Sequence, residues 1–111
     1  MYTKVELQGR LGKSVVQRTL PSGDVITIFS VIVDREQREI VGKASVDTIP
    51  CQTHRVSIAT KVSTWQSGSE ITVSGVLRRR FWKGPHGLGS ALEVEVRALK
   101  HSQQPNNTMR G

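Results

Sequence analysis

Hydrophobic residues alternate with polar ones along most of this chain, and one short segment breaks the alternation. Over Val5–Leu11 apolar side chains or glycine occupy every second position, which predicts a half-buried β-strand. Ile58, Val62 and Trp65 follow one another at intervals of four and three residues, the spacing of one face of an α-helix. These two periods predict a small β-protein that carries a single helix.

Five segments have strand character, and their order around the helix defines the predicted fold. The strands are expected over residues 5–11, 25–33, 46–53, 71–82 and 92–98, and the helix over residues 54–66. Three strands, a helix and two strands form the element order of an all-β, five-stranded OB-fold barrel with one short helix between strands 3 and 4. A different small α+β domain is the alternative that the pattern leaves open.

Turn residues and polar runs predict the connections. Pro21–Asp24 is expected to be a turn, because proline fixes φ and glycine tolerates a positive φ. Residues 35–43 are polar and charged, which indicates a loop or the tip of a hairpin, and Lys83–Gly89 is expected to be a flexible loop. Residues 1–100 form the predicted OB-fold domain. Residues 101–111 form a polar tail that is expected to be disordered, because it lacks apolar area to offset its ordering entropy.

The segment Val25–Val33 is apolar on both faces. It predicts either a central strand or a strand whose second face meets another subunit. A chain of 111 residues buries a modest fraction of its surface, so association with further copies would stabilise it. We therefore expect a homotetramer, with a dimer as the second possibility.

The chain is strongly basic, with a formal net charge of +7. A folded domain with this charge usually meets an anionic partner, either nucleic acid or anionic lipid. Lipid is the weaker candidate, because the sequence shows no basic amphipathic helix of sufficient length and no apolar stretch near the roughly 20 residues that span a bilayer. We expect no signal peptide before Val5, and Cys51 is the only cysteine, so a cytoplasmic location is expected.

One segment joins positive charge to an aromatic ring. If the alternation continues along the fourth predicted strand, Arg78, Arg80 and Trp82 share the surface that faces away from the core. Arg79 and Phe81 then face the other side. Arginine neutralises phosphate, and an exposed indole stacks on an unpaired base, which duplex DNA does not offer. The segment therefore predicts a binding surface for single-stranded DNA.

Each candidate residue also has a purely structural interpretation. Trp82 would be a core or interface residue if it followed most tryptophans, and the arginine run would then be a solvated face. Cys51 and His54 have a spacing that suits a metal, but zinc sites need three or four ligands, so a buried thiol and a surface or helix-cap histidine are favoured. Glu93 and Glu95 are interpreted as exposed carboxylates. The sequence has no phosphate-loop or nucleophile motif, so we expect no enzyme, no cofactor and no metal.

Six segments, taken in order, carry a resemblance to a known family. They are Val5–Leu11, Leu20–Val25, Phe29–Val31, Ile49–Cys51, Gly68–Gly75 followed by Leu77–Trp82, and Glu93–Val94. Together they resemble bacterial single-stranded DNA-binding proteins, and the similarity spans nearly the whole predicted OB domain. The resemblance implies an OB fold, a homotetramer with DNA wrapped around it, and protection of single strands during replication, recombination and repair.

The resemblance also implies roles for individual residues. Trp82 matches a base-stacking tryptophan of the family, and Arg78 and Arg80 match basic positions of the family beside it. His54 falls where the family often has a stacking aromatic residue, and an imidazole can substitute only weakly. Thr48 and Gln37 fall at or near two other such positions, and neither is aromatic. Binding is therefore expected to depend more on charge and less on stacking than in most relatives. The predicted DNA-binding residues are Trp82, Arg78, Arg80, Arg79, Phe81, Lys83, His54 and Arg35.

The final residues of the chain, Asn107–Gly111, carry no acid. Members of the resembled family commonly end in an acidic tip that recruits partner enzymes, so the resemblance indicates a short paralogue or a truncated form without that recruitment. Two other functions stay open. One is an accessory module, similar to primosomal replication proteins, that acts mainly through protein–protein contacts. The other is an RNA-binding OB module, because stacking platforms accept both backbones.

Overall fold

The computed structural model describes residues 3–35 and 45–102, which form six strands and one helix. The elements are β1 (Lys4–Leu11), β2 (Val16–Thr19), β3 (Val25–Asp34), β4 (Val46–Thr53), α1 (Val56–Thr64), β5 (Glu70–Gly84) and β6 (Gly87–His101). Within the described ranges no helix is long and apolar enough to cross a membrane. Most of the predicted connection over residues 35–43, including Gln37, lies outside the described residues, as does the tail beyond Ser102.

Five of the strands close into a ring. The strand order is β1-β5-β6-β4-β3-β2, and β1 also pairs with β3, where Arg10 lies opposite Ile32. The ring therefore contains β1, β3, β4, β5 and β6, and α1 lies between the third and fourth of these along the chain. This is the predicted OB fold. The strand β2 is absent from the predicted order and forms a hairpin with β3 outside the ring.

Side chains from alternate strand positions fill the interior of the ring. On β3, Thr27, Phe29 and Val31 point inward and are almost completely buried, while the residues between them are half-buried on the outside. Ile58 and Val62 of α1 pack against the same core, as their spacing predicts. The core is completed by Leu11, Cys51, Ile71, Val73, Val94, Val96 and Leu99. Burial of this apolar surface is the main favourable term in folding.

Two glycines permit the close strand contacts that shape the ring. A Cβ atom on Gly9 would overlap the carbonyl oxygen of Ile32, and a Cβ atom on Gly75 would overlap the carbonyl oxygen of Glu95. Gly9 directly precedes the residues of β1 that pair with β3. Gly75 lies at a register shift between β5 and β6. A side chain at either position would push apart strands that close the ring.

The connection between β5 and β6 is a tight hairpin, and the prediction of a flexible loop over Lys83–Gly89 is wrong. Gly84 pairs with Gly87, so only Pro85 and His86 form the turn. Gly87 has a φ of +113°, a conformation that favours glycine. Continued pairing satisfies the backbone donors and acceptors of both strands, and this outweighs the flexibility of the glycines.

The helix and the last strand differ from their predicted bounds. α1 begins after His54, and the hydroxyl of Thr53 accepts a hydrogen bond of 3.1 Å from the backbone N–H of Arg55 just before the helix starts. β6 continues to His101, whose ring stacks on Trp65 with 3.6 Å between the ring centroids. The predicted boundary between domain and tail therefore falls inside a strand.

Replacing Phe29 with alanine should lower the free energy of unfolding by about 3–5 kcal/mol, because a large buried side chain would leave a cavity in the ring. Urea denaturation followed by circular dichroism measures this change. Val56→Ala is the control, since the Val56 side chain is exposed on α1, and it should change the same free energy by less than about 0.5 kcal/mol. A similar small loss in both variants would contradict the packing described for Phe29.

Candidate nucleic-acid interface

Side chains that alternate with the core residues form a continuous outer face across five strands. This outer sheet face comprises Arg18, Ile26, Ile28, Pro50, Gln52, Glu93, Glu95, Arg78, Arg80 and Trp82. Arg18 lies opposite Ile26 where β2 pairs with β3. Ile28 lies opposite Gln52 where β3 pairs with β4. The face therefore runs from a cation on β2, across apolar residues, to the arginines and tryptophan of β5.

The basic segment of β5 divides between the two faces of the hairpin as its alternation predicts. Arg78, Arg80 and Trp82 lie on the outer sheet face. Arg79 and Phe81 point to the opposite side, where the Arg79 guanidinium donates a hydrogen bond of 3.1 Å to a serine hydroxyl of β6. Phe81 is largely exposed on that side. The structure thus separates Arg79 and Phe81 from the other three predicted DNA-binding residues of the segment Arg78–Trp82.

Neighbours on both strands hold the Trp82 indole in place. The ring lies over Gly89 of β6, where an added Cβ atom would be 2.6 Å from the indole Cε2. The Cζ atom of Arg80 is 5.6 Å from the ring centroid, within the range of a cation–π interaction. The tryptophan remains 45% exposed, so part of the ring is available to stack on a base.

Two arginines of the outer sheet face, Arg78 and Arg80, are paired with glutamates of β6. Arg78 Nε lies 2.8 Å from Glu95 Oε1, and Arg80 Nε lies 3.3 Å from Glu93 Oε1. The interpretation of Glu93 and Glu95 as exposed carboxylates is wrong, because their side chains are only 13% and 21% exposed. The cross-strand register brings the opposite charges together on one face. The positive charge of this segment is therefore partly neutralised within the protein.

A groove of about 240 Å³ crosses the outer sheet face between β2 and β5. It is lined by Arg18, Leu20, Ile26, Ile28, Pro50, Gln52, His54, Arg80 and Glu93. The isoleucines, leucine and proline supply apolar surface, and the two arginines supply positive charge at its β2 and β5 sides. An unpaired nucleotide offers a base and a phosphate, so this combination suits a single nucleic-acid strand.

Arg18 and the apolar residues of the groove were missing from the predicted binding set. A signal for them was present, because a hairpin turn at Pro21–Asp24 requires a strand on each side. The segment before that turn is Val16–Thr19, which pairs with the beginning of β3. Pairing across the turn would have placed Arg18 beside the exposed side of β3.

The other predicted residues do not all lie at the groove. His54 lines it together with Arg80. Because side chains alternate along β5, Lys83 lies on the same side of the hairpin as Arg79 and Phe81, opposite the outer sheet face. Arg35 lies beyond the end of β3 and donates two hydrogen bonds, of 3.2 and 2.9 Å, to one carboxylate oxygen of Asp47. Arg35 is not among the residues that line the groove.

Cys51 lies in the core below the groove. Burial raises the pKa of its thiol to about 12, and the negative charge of Glu93 adds to this shift. The thiol is therefore protonated at neutral pH, whereas a metal ligand or nucleophile is a thiolate. Among the described residues no group of three or more His, Cys, Asp and Glu side chains is placed to hold a metal ion.

Comparisons with known proteins bear on the family and the fold of this chain. The profile of the Single-strand binding protein family matches residues 2–102. No curated protein matches the sequence. A solved structure described as "Plasmodium falciparum SSB complex with ssDNA" is similar, with a TM-score of 0.71 and 20% sequence identity, covering 93% of this chain and 96% of that chain. At this sequence identity the structural similarity establishes the fold.

Replacing Gly89 with alanine should displace the Trp82 indole, because the new Cβ atom would overlap its ring. In a Trp65→Phe background the remaining tryptophan fluorescence comes from Trp82 alone. Its emission maximum should move to longer wavelength and its quenching by acrylamide should increase.

Gly84→Ala is the matched control for this experiment. A Cβ atom there would make only ordinary contacts, the nearest at 3.7 Å, so the Trp82 fluorescence should stay unchanged. Identical emission from the two alanine variants would show that the indole does not rest on Gly89.

Proposed function

Because this chain belongs to the single-strand binding protein family, we propose that it binds single-stranded DNA along the outer sheet face without sequence preference. The family consists of binding proteins, so the chain is not an enzyme. One observation carries the proposal: the partly exposed Trp82 indole lies beside Arg80, which lines a groove with apolar and cationic residues, and it shares a face of β5 with Arg78. Stacking favours single strands, because a duplex keeps its base faces covered.

The order of side chains across the face supports one path for the strand. A base stacks on Trp82 while the neighbouring phosphates approach the outward nitrogens of Arg78 and Arg80. The next nucleotide enters the groove, where Ile28 and its apolar neighbours contact the base. Arg18 then neutralises a phosphate on the β2 side. Because stacking and phosphate contacts do not read base edges, every sequence fits this path.

We propose that charge contributes more to this binding than stacking. The net charge of +7 is available to attract a polyanion. Thr48 lies exposed on β4 and offers no ring, and His54 offers only an imidazole at the groove. Trp82 is therefore the principal stacking residue of the described part of the outer sheet face. Binding should weaken steeply as salt concentration rises.

The proposed role is protection of unpaired strands during replication, recombination and repair in the cytoplasm. We propose a homotetramer as the active form, with a dimer second. Large apolar side chains left exposed on the single chain, including Leu88 and Leu92, support association with further copies. Sedimentation analysis at several protein concentrations measures the number of chains in the assembly.

A primosome-like OB accessory module, acting mainly through protein–protein contacts, is the alternative function. The exposed apolar side chains on the Phe81 side of the hairpin favour it, because such a surface suits a protein better than a polyanion. This alternative predicts weak binding of single-stranded oligonucleotides even at low salt. A tight, salt-dependent complex with oligo-dT would exclude it as the main function.

Replacing Trp82 with alanine should weaken the binding of labelled oligo-dT by about 1–3 kcal/mol, because the stacking contact is lost. Fluorescence anisotropy at fixed salt concentration measures the change. Phe81→Ala removes the neighbouring ring from the opposite face and should cost less than about 0.5 kcal/mol.

A duplex of equal length should bind the unmodified protein more weakly than oligo-dT. Equal losses of affinity in the Trp82 and Phe81 variants would show that the bound DNA strand does not lie against Trp82. Equal affinity for duplex and single strand would contradict stacking altogether.

Replacing Arg18 with alanine should make the salt dependence of binding shallower by about 0.7 in the slope of log K against log[salt], the value for one lost phosphate contact on a single strand. The measurement is an oligo-dT titration at four or more salt concentrations. Lys61→Ala removes the same charge from α1, where the Lys61 ammonium contacts the carbonyl oxygen of Leu99, and it should leave the slope unchanged. A slope that changes equally in both variants would argue against a phosphate contact at Arg18.

A further inference from the structure

The outer sheet face holds negative charge beside the arginines that the proposed function assigns to phosphate. Glu93 and Glu95 lie on β6 in the middle of this face. Arg97 is a third arginine paired with these carboxylates besides Arg78 and Arg80, with its Nη2 atom 3.6 Å from Glu95 Oε2. Three arginines therefore share two carboxylates, which leaves less free positive charge on the face than its arginines alone would supply.

Neighbouring groups hold the two carboxylates in position. Glu93 Oε1 faces Arg80 at 3.3 Å, and its Oε2 accepts a hydrogen bond of 3.2 Å from the Gln52 amide. Glu95 lies between Arg78 and Arg97. Because both carboxylates are largely shielded from solvent, salt screens these pairs less than it screens fully exposed ones. The pairs therefore persist under conditions in which the protein would meet a nucleic acid.

The arginines can still reach a phosphate while they are paired. Arg78 and Arg80 each use the Nε atom for the carboxylate, and each guanidinium has further N–H donors on its two terminal nitrogens. The side chains of Arg78 and Arg80 are 55% and 53% exposed. A phosphate that approaches the terminal nitrogens comes within one Debye length of the carboxylate, and the two negative charges repel each other.

We propose that Glu93 and Glu95 are internal competitors of nucleic-acid phosphate. In the free protein they neutralise Arg80 and Arg78, and a bound strand has to share these guanidinium groups against the repulsion of the carboxylates. The competition lowers affinity and makes its salt dependence shallower, so a bound strand can be released or repositioned. This inference rests on the proposed binding of single-stranded DNA.

A purely structural role of the same pairs gives a different expectation. If the carboxylates only hold the arginines in place, removing their charge cannot strengthen binding. Glutamine has nearly the same size as glutamate and keeps an oxygen that can accept a hydrogen bond from Nε. Glutamate-to-glutamine substitution therefore preserves the position of the guanidinium and removes the negative charge.

The test compares the unmodified protein with Glu93→Gln, Glu95→Gln and the double variant, each shown to be folded by thermal unfolding. Labelled oligo-dT is titrated at several salt concentrations. Each single variant should bind about three- to tenfold more tightly at low salt, because one repulsive charge is gone. In the double variant the slope of log K against log[salt] should become steeper by about 0.7 to 1.4.

Asp34→Asn is the matched control. It removes an equal charge from another ion pair, Arg10–Asp34, whose atoms lie 2.9 Å apart. Arg10 lies opposite Glu70, at the end of β5 far from Trp82. This variant should bind oligo-dT within about twofold of the unmodified protein, because the removed charge is distant and exposed.

The possible results separate the two proposals. Glutamine variants that bind as well as the unmodified protein, or more weakly, would overturn the competition and leave the proposed function intact. An equal gain in affinity from Asp34→Asn would show that the effect comes from net charge, and it would also overturn the proposed competition. Failure of the unmodified protein to bind oligo-dT at low salt would overturn the proposed function together with this inference.

Discussion

The contact at which β1 reaches β3 turns a sheet into a closed ring, and the rest of the structure depends on that closure. It requires a glycine at position 9, because the carbonyl oxygen of Ile32 occupies the space that a Cβ atom would need. Once the ring is closed, each of its strands has an inner and an outer side. The inner side chains of β3 are buried, and Ile26 and Ile28 on its outer side line the groove. Core and candidate site are therefore alternate residues of the same strands, so a shift in register would disturb both.

The β5–β6 hairpin carries the tryptophan and the paired arginines of the candidate site, and its long pairing fixes their positions. A paired strand fixes the spacing between side chains, so Trp82 rests on Gly89 while the arginines meet the glutamates of β6. A flexible loop would have to become ordered when a ligand binds, which costs conformational entropy. The hairpin avoids much of that cost because its backbone is already ordered. It also fixes negative charges beside the positive ones, so its affinity for a polyanion is limited by the same pairing that orders it.

Much of the fold followed from local patterns, and parts of the site did not. Alternation along the chain predicted the ring strands, and the spacing of Ile58 and Val62 predicted the buried face of α1. Glycine and proline between residues 83 and 89 suggested a loop, yet they form the short turn of a hairpin. Pairing of β5 with β6 decided that outcome, since it satisfies backbone groups that a loop would leave to solvent. Arg18 was missed for a related reason: its place on the outer sheet face depends on the pairing of β2 with β3.

By itself, the sequence determined the period of each segment. That period decides which residues of one strand share a face, so the OB fold class and the common side of Arg78, Arg80 and Trp82 could be predicted. Only the tertiary structure decided which groups contact each side chain: Glu95 contacts Arg78, Glu93 contacts Arg80, and Gly89 lies beneath the indole. Neighbours across strands depend on register and on ring closure, which involve residues far apart in the chain. No single strand contains that information, because its own alternation is the same whichever partner it meets.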